Sequence, residues 1–317
     1  MNSLLTELGK KLVDQWMSLL VLPGALYLAV AVAGRSVGHA HALSLGRLTD
    51  QITDWAGSAS VSTISGQVIL LAAVLAGSAS VGLTAQILGS MIEKSSLAAD
   101  WWTWPAPLRA TAHRLTAYRQ RRWRTAAAAW HRHREKAARS LTMGQRLDPT
   151  ERRAAKAAML RIAAEYPDRP TWCGDRVHAV AVRMDRDHHV DLAVVMPHLW
   201  LVLPEEVRAE ITAARQALTR ATTLTAWAIL YGALTIWWWP AALIATGIVM
   251  TGWWRIRASV NVYATLLEAT TRIHSRNLAE HLGLDPPPSL TPETGDTLTR
   301  LLTPGVPSPS TFNEVRD

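Results

Sequence analysis

The residue types that could bind a metal ion are concentrated in residues 185–191, which include Asp185, Asp187, His188, His189 and Asp191. Carboxylates and imidazoles are common metal ligands, but adjacent residues seldom point at one ion unless a loop wraps around it. Two interpretations are open, a solvated turn and a metal-binding loop, and we favour the turn. The sequence therefore predicts no metal and no other cofactor.

Nucleophilic chemistry has one candidate, Cys173, the only cysteine in the chain. A thiol nucleophile needs an activating base, and His178 is the nearest residue of that type. We favour a structural role for Cys173. His131 and His133 lie two residues apart and so fall on different faces of a helix. The sequence contains no Gly-rich phosphate loop, nucleophile elbow or H-E-x-x-H motif, so we expect no enzyme.

The elements that would carry such residues are set by hydrophobicity. Of the 317 residues, 49% are hydrophobic and only 18% are charged, and the mean hydropathy is +0.06. Three windows contain no charged residue, namely 15–34, 55–92 and 221–254. Roughly 20 apolar residues suffice to cross a bilayer. The sequence therefore predicts an integral membrane protein.

We expect a mainly all-α fold with four transmembrane helices in two hairpins and a helical cytoplasmic domain between them. The first span (residues 16–34) competes with a signal-peptide interpretation, and Pro23-Gly24 should kink it. The second has its core at 67–92. The third window is interpreted as a hairpin that turns at Trp239-Pro240, or as one long element kinked there. No charged residue lies inside a span, which argues against a proton-coupled transporter.

Small residues recur at helical spacing along the second span, at Ser78, Gly82, Ala85 and Gly89. Such faces allow helix backbones to approach closely in a membrane. The face either packs within the chain or mediates self-association around a pore. Gln86 on the same span needs a polar partner or a wet cavity.

Tryptophans and arginines mark the predicted edges of the second hairpin, where membrane-interface anchors are expected. They are Trp237, Trp238, Trp239, Trp253, Trp254, Arg255 and Arg257. Residues 35–54 contain two basic and two acidic residues, whereas residues 93–220 contain 23 basic and 14 acidic residues. Because basic segments stay in the cytoplasm, both termini and the middle domain should be cytoplasmic.

The middle domain should begin with a long basic helix over residues 108–141. Arginines near heptad spacing give it a basic face, formed by Arg114, Arg121, Arg124, Arg132 and Arg139. Trp123 and Trp130 share another face. The basic face is either simply solvated or attracted to anionic lipid headgroups, while nucleic acid is a less favoured partner.

Other segments of the chain carry weaker signals. Val177 to Met184 and Leu192 to Leu203 fit two short strands or buried loops, and a helix from Pro204 should continue into the third span. An amphipathic helix over 259–284 should end at Gly283 and bury a stripe formed by Val262, Leu266, Ala269, Ile273 and Leu282. The predicted organisation is a cytoplasmic N-terminus (1–15), a first transmembrane pair (16–92), a basic cytoplasmic domain (93–220), a second transmembrane hairpin (221–257), a cytoplasmic helix (258–284) and a disordered Pro-rich tail (285–317). Within that tail, the short apolar segment Leu298 to Leu302 is either a docking motif or without function.

Two hydrophobic pairs around a helical domain resemble, by topology alone and over residues 1–284, the bestrophin-type anion channels of bacteria. The stretches MPHLWLVLPEEVR, WWWP and WWRIRA are similar to uncharacterised multi-spanning membrane proteins of high-GC bacteria. The first resemblance implies an oligomeric channel in the inner membrane. A membrane-anchored adaptor that recruits a cytosolic protein, in a defence, secretion or DNA-transfer system, is the alternative hypothesis. An enzyme or transporter would rest on residues 185–191 alone.

Overall fold

A computed structural model of the chain describes residues 21–39, 42, 46, 63–144, 148–285, 287 and 289–304. Across these ranges the fold is all-helical, without a strand. The helices are α1 (Leu22–Val37), α2 (Ile64–Leu97), α3 (Ala106–Thr142), α4 (Thr150–Ile162), α5 (Trp172–His188), α6 (Leu192–Val202), α7 (Glu205–Leu234), α8 (Pro240–His281) and α9 (Pro292–Leu302), with a short 3-10 helix at Trp101–Thr103.

The chain divides into two compact units. Unit 1 comprises residues 1–95 and 217–257, and unit 2 comprises residues 96–216 and 258–317. Helices α2, α7 and α8 each contribute residues to both units. Among the described helices, α2 is the one long and apolar enough to cross a membrane, while α1 and α6 are apolar but shorter.

Unit 1 is held together by close helix packing. A Cβ added at Gly24 of α1 would lie 2.1 Å from the carbonyl oxygen of Ser78, so α1 and α2 are in backbone contact there. Tyr27 packs edge-on against Tyr231, with ring centroids 5.4 Å apart. Helices α7 and α8 form a hairpin, with Leu234 and Ala241 in a shared core on either side of the turn.

The first predicted span is described only from residue 21 onward, so residues 1–20 lie outside the described part of the chain. Pro23 lies in the first turn of α1. Within α1, as described from Leu22, its missing N–H therefore has no helical partner to lose, and the segment before residue 21, against which a kink would be measured, lies outside the described residues.

Unit 2 contains a hydrophobic core to which α5, α6, α7, α8 and α9 contribute. Its fully buried side chains include Met184, Val195, Leu199 and Leu298. An ionic network lies beside this core. Arg183 donates to Glu268 through both Nη2 (2.5 Å) and Nε (3.2 Å), and it lies 3.9 Å from Glu165. The network links α5 to α8.

The two short strands or loops predicted at Val177 to Met184 and Leu192 to Leu203 are instead helices α5 and α6. Val177, Val180 and Met184 also fit helical spacing, so the loose alternation was misleading. The caps decide the outcome: Thr171 accepts from the N–H of Gly174, and Asp191 accepts from the N–H of Ala193. These interactions satisfy N–H groups that the first turn leaves unpaired.

The helix predicted at 259–284 is the second part of α8, a single helix of 42 residues. The predicted stripe was wrong, because Val262, Ala269, Ile273 and Leu282 are exposed and only Leu266 is half-buried. The buried face is formed by Val260, Ala264, Leu267, Thr271, Ser275 and Leu278. This face was not recognised from the sequence because it contains the polar residues Thr271 and Ser275. Their hydroxyls donate to backbone carbonyls one turn earlier in α8, so both side chains can be buried.

The tail predicted to be disordered contains helix α9, which packs on unit 2. Leu298 is fully buried, and the Cα of Gly295 lies so close to the His188 carbonyl that a Cβ would be 1.8 Å from its oxygen. Thr299 Oγ1 donates to the His189 carbonyl and accepts from the N–H of Asp191. The apolar island at Leu298 to Leu302 therefore docks within its own chain.

Candidate functional site

The strongest chemical feature of unit 2 is a basic helical hairpin formed by α3 and α4. Helix α3 carries ten Lys and Arg residues against one acidic residue, Glu135, and α4 carries four against one, Glu151. The two helices pack antiparallel, since His133 Nδ1 lies 3.5 Å from Glu151 at one end and Arg119 donates to the Ile162 carbonyl at the other. We refer to α3 and α4 together as the basic hairpin.

Aromatic and polar side chains fix the hairpin to the segment that follows it. Trp123 donates its indole N–H to the carbonyl of Ala163 (3.2 Å) and packs edge-on against Tyr166, with ring centroids 5.6 Å apart. Gln120 donates to the carbonyl of Pro167 (2.9 Å). The hairpin therefore has a defined position within unit 2.

Asp175 is the buried centre of these contacts. Its carboxylate accepts from Arg119 Nη2 (2.5 Å) and from the backbone N–H groups of Asp168 (2.9 Å) and Arg169 (2.7 Å). Burial raises the pKa of Asp175, while the hydrogen bonds from Arg169 and Arg119 oppose that shift. One side chain thus connects α3, the 168–169 loop and α5.

The five arginines predicted as a basic face do not all have the same role. Arg114, Arg121, Arg132 and Arg139 are exposed, and none forms an ion pair with another described residue. Arg124 is also exposed, but it donates to the Tyr166 hydroxyl and its guanidinium lies 5.3 Å from the centroid of that ring. Arg124 therefore contributes to packing as well as to charge.

Large apolar side chains are exposed among these arginines. Leu115, Tyr118, Leu141 and Met143 all lie on the surface of α3 or just after it, and Met143 is 74% exposed. A purely solvated face would carry polar residues at these positions. Arg, Met and Tyr are instead the residue types enriched at protein interfaces.

A second group of cations lines a cavity of about 340 Å³ between α3 and α4. We call it the Trp130 cluster, and its members are Trp130, Arg134, Arg152, Arg153 and Lys156. The Arg134 guanidinium lies 5.6 Å from the centroid of the Trp130 ring. This cluster was not predicted from the sequence, although Arg152, Arg153 and Lys156 at i, i+1 and i+4 share one side of a helix.

The small residues of α2 lie at helix contacts within unit 1. Ser78, Gly82, Ala85 and Gly89 are all buried. Ser78 faces Gly24, and a Cβ at Gly89 would lie 2.8 Å from Thr223 Oγ1 on α7. Gln86 lies apart from this face. It is exposed, and its amide makes no hydrogen bond to any residue within the described ranges.

The residues predicted as interface anchors fall into two groups. Trp237 and Trp238 are half-buried; Trp238 packs against Gly34 and donates to the carbonyl of Ala42. Exposed members are Trp239, Trp253, Trp254 and Arg255. Arg257 lies over the ring of Trp253, 5.1 Å from its centroid.

The metal-type residues at 185–191 mostly serve the backbone or pair with arginines. His189 is the left-handed cap of α5 and Asp191 is the N-cap of α6. Asp187 accepts from Arg186 (2.9 Å), which lowers the pKa of Asp187. In the part of the chain that the structure describes, no three His, Cys, Asp or Glu residues converge as a metal site.

Cys173, for which a structural role was favoured, and His178, its nearest candidate base, both lie on α5. Cys173 is buried in the first turn of the helix. His178 Nε2 lies 3.7 Å from Asp168 Oδ2, and burial together with the neighbouring Arg169 lowers the pKa of His178. The carboxylates of Asp168 and Asp175 oppose that shift.

Comparison with known proteins gives no relative: no family model, no curated protein and no solved structure matches the chain.

Proposed function

We propose that the chain is a multi-pass protein of the bacterial inner membrane with four transmembrane helices. The spans would be residues 16–34, the core of α2, and the two arms of the α7–α8 hairpin, with both termini and unit 2 in the cytoplasm. Support comes from the outer surface of unit 1, where large apolar side chains are exposed on all four helices, among them Leu22, Leu26, Ile69, Leu71, Ile87, Ile229, Leu243 and Met250. Water disfavours such a surface and lipid accommodates it.

The exposed hydroxyls of α2 are compatible with lipid. Ser80 donates to Ala76 (2.8 Å), Thr84 to Ser80 (2.9 Å) and Ser90 to Ile87 (2.9 Å), all through carbonyls of the same helix. A polar group in hydrocarbon must be satisfied internally. These three residues meet that requirement without a partner.

Membrane insertion and orientation can be tested together. In a Cys173→Ala background, a single Met143→Cys substitution should react with a membrane-impermeant maleimide only after the cells are permeabilised. The protein should also stay in the membrane pellet after alkaline extraction. Labelling of intact cells would contradict the proposed orientation, and release by alkali would contradict insertion.

We propose further that the protein is a membrane-anchored adaptor whose basic hairpin recruits a cytosolic protein. The observation that carries this proposal is the mixture of unpaired arginines and exposed large apolar side chains on α3. Charge provides long-range attraction to an acidic partner, and apolar contacts provide the short-range binding energy. Arg132, Arg139 and Leu141 lie in the last three turns of α3 and Met143 is its C-cap, so both components are available at one end of the hairpin.

Site-specific photocrosslinking in cells tests the adaptor role. Benzoylphenylalanine at position 143 should give adducts that protease degrades and nuclease does not. The same photoreactive residue at position 201, which is 80% exposed on α6, serves as the control and should give none. Equal adducts at both positions, or adducts that only nuclease removes, would overturn the proposal.

Two variants with the same change in net charge separate recruitment from general electrostatics. Arg132→Gln with Arg139→Gln should abolish the adduct at position 143. Arg276→Gln with Arg300→Gln removes two charges that are engaged in exposed i,i+4 ion pairs and should leave the adduct intact. Retention of the adduct in the first variant would contradict recruitment by the basic hairpin.

An oligomeric anion channel is the second candidate, and one observation favours it. Gln86 is an exposed amide without a hydrogen-bond partner among described residues, whereas the exposed hydroxyls of Ser80, Thr84 and Ser90 on the same helix bond to its backbone. Several copies of α2 around an axis would give Gln86 a polar environment, as the topological resemblance to bestrophin-type channels suggests. Anion flux in liposomes should then fall in a Gln86→Leu variant. Absence of flux in the unmodified protein would eliminate this candidate.

A further inference from the structure

The Trp130 cluster concentrates four positive charges around one indole ring. Of the described residues that line its cavity, none is acidic. Arg134, Arg152 and Lys156 form no ion pair within the described ranges. Arg153 lowers the pKa of Asp148, but the hydrogen bonds that Asp148 accepts from Thr150 lower it more. The lining of this cavity is therefore electropositive, and the carboxylates of Asp148 and Glu151 lie in an adjoining pocket that shares Arg152.

Holding these cations together is unfavourable for the isolated chain. Like charges on adjacent turns repel one another. Arg152 and Arg153 also lie in the first turn of α4, where the helix dipole disfavours positive charge. A bound anion would relieve the mutual repulsion of all four side chains.

The cavity is formed by packed helices and does not need to be assembled by a ligand. Ala127 of α3 and Met159 of α4 are buried in unit 2. The Trp130 indole is stacked by Arg134, so one wall has a fixed orientation. Arg152, Arg153 and Lys156 are exposed, so the helices fix where these side chains start, and the side chains themselves are ordered only when a ligand binds.

We infer that the Trp130 cluster binds a phosphate-bearing group with at least two negative charges. Guanidinium groups bind phosphate oxygens through paired N–H donors, lysine adds a mobile point charge, and the indole offers an apolar wall to the rest of the ligand. The pocket of about 340 Å³ opens to solvent between the two helices, so a ligand can enter it from the surface. A pyrophosphate or the phosphate headgroup of a lipid therefore fits in it.

This site goes beyond the adaptor role, because it would bind phosphate whether or not the basic hairpin recruits a protein. It can be tested by isothermal titration calorimetry on the full chain in a neutral detergent. Pyrophosphate is the probe for a free ligand, and short-chain dihexanoyl phosphatidic acid is the probe for a lipid headgroup. The tighter of the two probes identifies the source, and saturable binding of either supports the site.

Variants of equal net charge locate the binding. Arg152→Gln with Lys156→Gln should weaken the tighter probe by about tenfold or more, since two charges at contact distance are lost. Arg114→Gln with Arg121→Gln, on the same basic hairpin but outside the cluster, should change binding less than about twofold. Lys156→Arg keeps the charge and should keep the affinity, which guards against loss through misfolding.

Three results would overturn the inference. One is the absence of saturable binding of both probes. Another is an equal loss of affinity in the two double variants, because the attraction would then come from the net charge alone. The third is saturable binding of single-stranded DNA without binding of either small probe, which would indicate a nucleic-acid surface in place of a phosphate cavity.

Discussion

Gly89 of α2 gives the sharpest prediction for the packing of unit 1. In a Gly89→Ala variant the new Cβ would lie 2.8 Å from Thr223 Oγ1, 2.9 Å from its Cα and 3.1 Å from its N. Ordinary contacts begin near 3.4 Å, so α2 and α7 must separate by about half an ångström. Two of the three atoms belong to backbone, so a change of rotamer cannot remove the clash.

The magnitude follows from two opposing contributions. Overpacking a tight contact destabilises by about 1–3 kcal/mol, whereas replacing a helical glycine with alanine stabilises by about 1 kcal/mol. We expect a net loss of up to about 2 kcal/mol in Gly89→Ala. Gly247→Ala is the matched control, because that glycine is also helical and a Cβ there meets nothing within 4 Å. It should gain up to about 1 kcal/mol.

Thermal unfolding of the detergent-solubilised protein measures the difference. Each kcal/mol corresponds to roughly 2–4 °C in a protein of this size or somewhat smaller. The two variants should therefore move the melting temperature in opposite directions. If Gly89→Ala were as stable as Gly247→Ala, the close approach of α2 and α7 would be wrong, and the small-residue face would be free for another role.

Three further predictions concern unit 2. Leu298→Ala should destabilise the fold by about 2–4 kcal/mol and expose α9 to hydrogen exchange, whereas Leu301→Ala, at an exposed position, should do neither. Burial raises the pKa of Glu268, but its arginine neighbours outweigh burial and hold it below the ordinary value. Ionised Glu268 therefore stabilises the fold at pH values above its ordinary pKa, and this stability is lost as the pH falls through its lowered pKa. In Glu268→Gln, the decrease of the melting temperature at acidic pH should therefore be smaller than in the unmodified protein. Asp175→Asn should lower the free energy of unfolding by roughly 2 kcal/mol, which is less than the loss of one partner of a buried ion pair usually costs. The reason is that the raised pKa of Asp175 indicates that desolvation already penalises its ionised form. An unchanged midpoint of chemical denaturation would refute this prediction.

Much of the helical layout could be predicted from charge and hydrophobicity. The charge-free windows locate α1, α2 and the α7–α8 hairpin, and the start of α7 follows from Pro204 and the acidic residues after it. These signals are strong because a long apolar run has few alternatives to a helix. Short elements were less predictable, and α5 was misread because a few valines satisfy both periodicities.

Burial on α8 could not be read from residue types. Its core face uses Thr271 and Ser275, whose hydroxyls bond to their own helix, while Val262 and Ile273 are exposed. Hydrophobicity therefore pointed to the wrong side. Helix α9 was missed for a related reason, since its Thr-rich and Pro-rich surroundings are typical of disorder and its stability comes from tertiary contacts.

The candidate site was only partly predictable. The charge of α3 was evident, and Arg114, Arg121, Arg132 and Arg139 lie on the surface. The Trp130 cluster depends on the register between α3 and α4, which brings Arg134 and Lys156 to one cavity although they are distant in sequence. That register is set by tertiary contacts such as the hydrogen bond from Trp123 to the carbonyl of Ala163. The local sequence of either helix does not indicate such contacts.

The docking of α9 determines how the protein can be shortened. On sequence grounds, a deletion of the Pro-rich tail would end the chain near residue 285. It would remove the buried Leu298, and also Thr299, which hydrogen-bonds to both His189 and Asp191. Trimming back only as far as residue 304 would spare them. Shortened forms that end on either side of α9 should therefore differ sharply in yield and solubility.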